Sequence, residues 1–71
     1  MNLLDATEGK KYTVVGIELN DEELKDFLFS LGCYRGEPIT VISRLRSGCI
    51  VAIKDGRYTV DKPLAKAILI K

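Results

Sequence analysis

The chain contains no histidine. That removes the commonest general base and the commonest metal ligand together, and with them every hydrolytic triad built on an imidazole. Cysteine is scarce too: Cys33 and Cys49 are the only two, and a structural zinc or iron–sulfur site usually needs four ligands. Without a secretion signal ahead of them, they are expected to stay as free thiols, each acting as a small buried hydrophobe. No apolar run approaches the roughly 20 residues that span a bilayer, and no basic segment followed by a long apolar one opens the chain. The expected location is therefore the cytoplasm, without direct membrane insertion. Charged residues make up 30% of the chain but sum to a net charge of only +1, so neither a nucleic-acid surface nor a disordered composition is indicated. Nucleotide chemistry is missing as well. Gly32-x-x-x-Gly36 lacks the Lys-Ser/Thr of a phosphate-binding loop and ends a helix where such a loop would open one.

What is present is one small domain, residues 1–71, of which 46% is hydrophobic. A chain this short buries only about 60% of the surface it exposes when unfolded, so there is little spare core. Lys11 to Leu19 is rich in β-branched residues and reads as a strand, with Val15, Ile17 and Leu19 on one face. Asn20 then reads as a helix N-cap, with Asp21, Glu22 and Glu23 at the positive end of the helix and Glu23 in the capping-box position. Capping explains these carboxylates better than cation binding, which the helix dipole opposes there. Leu24, Phe27, Leu28 and Leu31 follow at i, i+3, i+4 and i+7, an apolar stripe expected to lie on the core, and Gly32 suits the left-handed residue that closes the helix.

After Gly36 the period changes to two. Across Pro38 to Arg46, the residues Ile39, Val41 and Leu45 point one way and Thr40, Ile42, Arg44 and Arg46 the other. Ser47-Gly48 is expected to turn, Cys49 to Lys54 to form the next strand, and Asp55-Gly56 to make a two-residue hairpin into Arg57 to Val60. Asp61 caps a single helical turn through Pro63 and Ala67, and Ile68 to Lys71 closes as a last strand. The fold class that follows is mainly β with one short α-helix: a small, closed or nearly closed barrel of about five antiparallel strands, closure protecting the sheet edges.

The ordered set Leu3-Leu4, Gly9, Val15, Ile17, then Leu28-x-x-Leu31-Gly32-x-x-x-Gly36-x-x-Ile39-x-Val41, then Val51-x-Ile53, Gly56, Val60, Ala65 and Ile68-x-Ile70 resembles the FeoA family over nearly the whole chain. Cys33 and Arg35 depart from the family pattern, in which a bulkier apolar residue and a proline are common. The resemblance implies a cytoplasmic Src-homology-3-like (SH3-like) barrel that accompanies the ferrous-iron transporter FeoB. A similar domain ends some metal-dependent repressors of the DtxR type.

With no catalytic, cofactor or metal residues indicated, function is expected on the surface. Phe29 lies off the apolar stripe, so it forms a contact patch with Tyr34 and Arg35 or folds under Leu3-Leu4. A second candidate is the outer face of the Pro38 to Arg46 strand. There Ile42, Arg44 and Arg46 meet an acidic partner, or the arginines are simply solvated while Ile42 is covered by the helix or the last strand. Gly32, Gly36, Asp55 and Gly56 are expected to serve as turn residues. Three functions fit these expectations. The first is a non-enzymatic adaptor that binds the cytoplasmic part of FeoB and modulates it, as the resemblance implies. The second is a free-standing regulatory module like the repressor barrel, and the third is self-association.

Overall fold

The computed structural model describes all 71 residues. Its strands are β1 (Lys11–Ile17), β2 (Pro38–Leu45), β3 (Gly48–Ile53), β4 (Gly56–Asp61) and β5 (Ile68–Ile70), with helices α1 (Glu22–Ser30) and α2 (Lys62–Ala67) and a 3-10 turn at Leu3–Asp5. The five strands make one antiparallel sheet in the order β4-β3-β2-β1-β5. This is the expected mainly β, SH3-like architecture. The ring is closed by packing: β4 and β5 are the ends of the order, and α2 runs between them, resting on β3, β4, β5 and the N-terminal turn. Asp61 caps α2, its carboxylate accepting from the Leu64 N–H at 3.1 Å, and Pro63 sits in the first turn, where its missing N–H costs nothing. Ala65 and Ala67, both buried, are small enough to let α2 lie close in the seam. The edge of β5 is covered by the N-terminus, where the Ile70 N–H donates to the Met1 carbonyl at 2.9 Å and Asn2 bridges to Leu69. No helix is long and apolar enough to cross a membrane.

The core joins Leu3, Val14, Ile39, Val41, Val51, Ile53 and Ile68 from every layer to a single α1 residue, Leu28. Cys33 and Cys49 are both buried free thiols within it. Two β-bulges decide which residues of the outer strands take part. In β1 the register steps from Val14↔Ile70 to Gly16↔Leu69, so Val15 is the extra residue. The core face is therefore Tyr12 and Val14, and Ile17 comes into register with Ile68 only after the bulge; this corrects the expected Val15, Ile17, Leu19 face, and the strand stops at Ile17. In β2 the step from Val41↔Val51 to Ser43↔Ile50 makes Ile42 the extra residue. Beyond it the faces exchange. Arg44 lies opposite buried Cys49, Leu45 is exposed, and Ile42, Arg44 and Arg46 no longer share a face as simple alternation requires.

Both hairpin turns fall one residue earlier than expected. The loops are Arg46-Ser47 and Lys54-Asp55, while Gly48 and Gly56 open the following strands. Lys54, not Asp55 or Gly56, carries the left-handed backbone, with φ 54°. Gly48 is glycine because of close approach: a Cβ there would collide with the Val60 carbonyl oxygen of the neighbouring strand.

α1 also differs from its expected form. Asp21, not Asn20, is the N-cap, accepting from the Leu24 N–H at 3.2 Å, so Glu23 is not the capping-box partner; the carboxylate brings a charge to the dipole's positive end that an amide lacks. The C-terminus is as expected. Gly32 takes φ 96°, its N–H donates to Phe29 at 3.0 Å and that of Cys33 to Leu28 at 3.0 Å, the paired bonds of a Schellman closure. The helix is not the anticipated lid, however. Strands and the N-terminal turn already fill the barrel, so only Leu28 reaches the core, Leu31 is half-buried, and Leu24 and Phe27 remain 37% and 51% exposed.

Candidate docking surface

The residues that follow α1 are held by backbone bonds. The Tyr34 carbonyl accepts from the Glu37 N–H at 3.1 Å, making Tyr34-Arg35-Gly36-Glu37 a tight turn, and Gly36 at φ 94° permits the reversal. The same turn is sewn to β1 twice, by the Gly36 N–H to the Val14 carbonyl at 2.8 Å and the Val14 N–H to the Glu37 carbonyl at 2.9 Å. A helix end and a strand thus fix where Tyr34 and Arg35 stand. Phe29, one turn back, is 62% exposed, and its ring meets the Tyr34 ring at 4.7 Å between centroids, tilted by 37°. Aromatic pairs favour such tilted contacts. Folding of Phe29 under Leu3-Leu4 does not occur; Leu3 is in the core beside α2 and β5.

Phe29, Tyr34 and Arg35 line one shallow groove of about 330 Å³ with Ile17, Cys33 and Gly16. Its rim carries Glu22, Lys25 and Asp26 of α1. The Glu22–Lys25 pair, at 4.0 Å and well exposed, is too loose and solvated to close it. Arg35 is exposed and makes no ion pair. The Lys54 ammonium lies 5.2 Å from the Tyr34 ring centroid and 3.0 Å from a Glu37 carboxylate oxygen. The Tyr34 hydroxyl and then Glu37 hold this ammonium charged to higher pH than usual. Phe29, Tyr34, Lys54 and Glu37 therefore form a continuous row from helix to hairpin. Nothing in the sequence signals that Lys54, or Glu22, Lys25 and Asp26 of α1, would gather around the aromatic pair. Lys54 enters only because the β3–β4 turn folds against the α1–β2 loop.

The second group of candidates is dispersed. None of Ile42, Arg44 and Arg46 lines the groove. Ile42 is the bulge residue and is 38% exposed. Arg46 is exposed in the β2–β3 turn. Arg44 is bound to its own chain: its guanidinium donates to the Leu4 carbonyl at 2.7 Å and to the Ala6 carbonyl, while its backbone N–H donates to Glu8 Oε2 at 2.6 Å. With the Thr7 N–H donating to the Tyr12 hydroxyl at 2.9 Å, these bonds strap residues 4–8 across one end of the barrel.

No three of Cys, Asp and Glu converge as metal ligands would. Burial pushes the Cys33 thiol up to about 11 and raises Cys49 as well, the latter against the opposing pull of Arg44. Burial thus favours the protonated thiol at both positions and makes each less nucleophilic than an exposed cysteine.

The model of the FeoA domain matches residues 1–71. The chain belongs to the FeoA family. That family is linked to ferrous-iron transport and shares its SH3-like fold with repressor domains. A crystal structure of an iron uptake regulatory protein (FeoA) is 25% identical, with a TM-score of 0.86 over 100% of this chain and 93% of that one. The zinc-complexed FeoA of Stenotrophomonas maltophilia, described as an SH3-domain protein and suggested as a ferrous-iron-transport activating factor, is 16% identical and superposes with a TM-score of 0.87 over 100% of this chain and 89% of that one. At that identity the likeness speaks to the fold. A manganese-dependent transcriptional repressor is 26% identical with a TM-score of 0.85, covering 96% of this chain but only 39% of its own. No curated protein matches the chain in sequence.

Proposed function

We propose that this FeoA-family chain is a non-enzymatic adaptor of ferrous-iron uptake that docks on the cytoplasmic part of a FeoB-like transporter. The contact is the α1 groove, with Phe29 and Tyr34 as its anchors and Arg35 at its mouth. One observation carries the reading: α1 sends a single fully buried side chain, Leu28, into the core and leaves Phe27 and Phe29 more than half exposed. Exposed aromatics beside an unpaired arginine have the composition of an interface centre. Docking modulates the transporter to the extent that the chain binds one of its conformations better than another.

Titration of the transporter's purified cytoplasmic domain, followed by calorimetry, tests this. Phe29→Ala and Tyr34→Ala are each expected to weaken binding by about 1–2 kcal/mol, roughly a 5- to 30-fold rise in Kd, with the thermal midpoint little changed. Unchanged affinity in both variants rejects the groove as the contact. The coverage of nearly this whole chain by the repressor's barrel supports a second reading, a free regulatory module. That reading requires binding to a repressor fragment in place of the transporter domain.

A further inference from the structure

Lys54 combines several features that a solvated turn lysine does not need. Its backbone is the only non-glycine in the chain with positive φ, at 54°, a region in which lysine is uncommon and which asparagine or glycine would occupy more easily. Its stem crosses the bare face of Gly32. A Cβ on that glycine would stand 2.6 Å from Lys54 Cγ and 3.2 Å from Ile53 Cγ2, so the helix closure and the hairpin meet only because position 32 has no side chain. The ammonium ends between the Tyr34 ring, 5.2 Å from its centroid, and the Glu37 carboxylate, 3.0 Å away. Tyr34 thereby meets two neighbours that fix its ring, the Lys54 ammonium and the Phe29 ring at 4.7 Å.

We infer that Lys54 is a positioning residue of the docking groove: the left-handed turn delivers its side chain across Gly32 to lock the Tyr34 ring, and through it Phe29, in the orientation that receives the partner. Strained backbone gathers where the surrounding structure holds a functional arrangement in place. Here the same loop with asparagine would turn as well but would not span to Tyr34. Rings ordered before the encounter spare the complex the entropy of fixing them during it, a saving of about 0.5–1.5 kcal/mol for each side chain, or roughly 2- to 10-fold in affinity. The inference rests on the adaptor reading for its biological use, though not for its structural content.

Lys54→Asn and Lys54→Arg separate the roles of turn and side chain. Asparagine keeps the left-handed residue and removes the bridge; arginine keeps a cation that reaches the ring and Glu37. Ring-proton chemical shifts and Tyr34–Phe29 cross-relaxation in NMR report the platform with no partner present, and titration with the transporter's cytoplasmic domain reports docking. Lys54→Asn is expected to keep the parent's thermal midpoint or raise it, to move the Tyr34 and Phe29 ring resonances toward free-residue positions, and to weaken docking about 2- to 10-fold. Lys54→Arg is expected to restore ring shifts and affinity. Parent-like ring shifts in Lys54→Asn overturn the inference, as does parent-like affinity in that variant. If the parent itself does not bind, the adaptor reading fails by itself, and the ring shifts still decide whether Lys54 sets the platform.

Discussion

The two ends of the barrel are held in opposite ways. At one end, residues 4–8 are tied down by the Arg44 guanidinium, by Glu8 and by the Tyr12 hydroxyl, with Leu3 and Ala6 buried beneath. At the other, α1 hangs on Leu28 and shows its aromatics to water. The strap is held by bonds to side chains from distant strands, Arg44 donating to the Leu4 and Ala6 carbonyls. The helix satisfies its own backbone and so is free to present side chains. An element whose hydrogen bonds are internal can be attached at one point and still be ordered, which is what a contact surface on so small a protein requires.

The largest effect should come from the single attachment. Leu28→Ala removes a fully buried side chain at a cost of roughly 2–5 kcal/mol, most of what a domain of this size possesses. A cooperative melt at the parent's midpoint would show that α1 is held by something else. Next is the strap. Arg44→Ala strips donors from the Leu4 and Ala6 carbonyls, and a loss of about 1–3 kcal/mol in denaturant unfolding is expected, with faster amide exchange confined to residues 2–8. If the same substitution leaves stability intact and abolishes partner binding instead, the two ends have exchanged roles.

Alkaline titration sharpens the comparison further, because Cys33 belongs to the helix closure. Its folded pKa, about 11, lies above its ordinary value of 9.0, so the folded state holds its proton where the unfolded state releases it. That contribution is fully present below about pH 9 and is lost as the pH rises toward about 11. The fall in stability over this window should be shallower in Cys33→Ala than in the parent. Tyr12, whose pKa is lowered chiefly by the bond from Thr7, acts in the opposite sense in both proteins and cancels in the difference. The smallest effect is expected at Phe27, half in water already: Phe27→Ala should change stability by no more than about 0.5 kcal/mol. A large loss there would mean that the helix packs more deeply than one leucine.

Much of the architecture was legible because it depends on local rules. Gly32 closes α1 and Asp61 starts α2 through bonds made within a few residues, and alternation marked Ile39 and Val41 as sharing one face, which is the buried one. The errors share a cause. A bulge inserts one residue and exchanges the faces beyond it, and nothing in Val14-Val15-Gly16 or Val41-Ile42-Ser43 announces one. The hairpin turns slipped by one because glycine was read for its freedom at Gly48 and Gly56, whereas Gly48 serves the close approach of Val60 from another strand. Of the candidate surface residues, Phe29, Tyr34 and Arg35 do share a groove, whereas Arg44 serves the N-terminal strap. Lys54 stands against Tyr34 and Glu37, a contact that alternation along its own strand does not reveal because those partners lie on a different loop.

Composition and local pattern were thus enough to determine a small, mainly β domain without imidazole chemistry, the helix with its glycine stop, and the family resemblance. These follow from backbone preference and short-range hydrogen bonding, which neighbours along the chain decide. Which apolar residues would be hidden was left to the folded barrel. A core of this size accommodates one side chain from α1, and volume is shared among all the elements at once. Only their assembly could choose Leu28 and leave Phe27 and Phe29 outside.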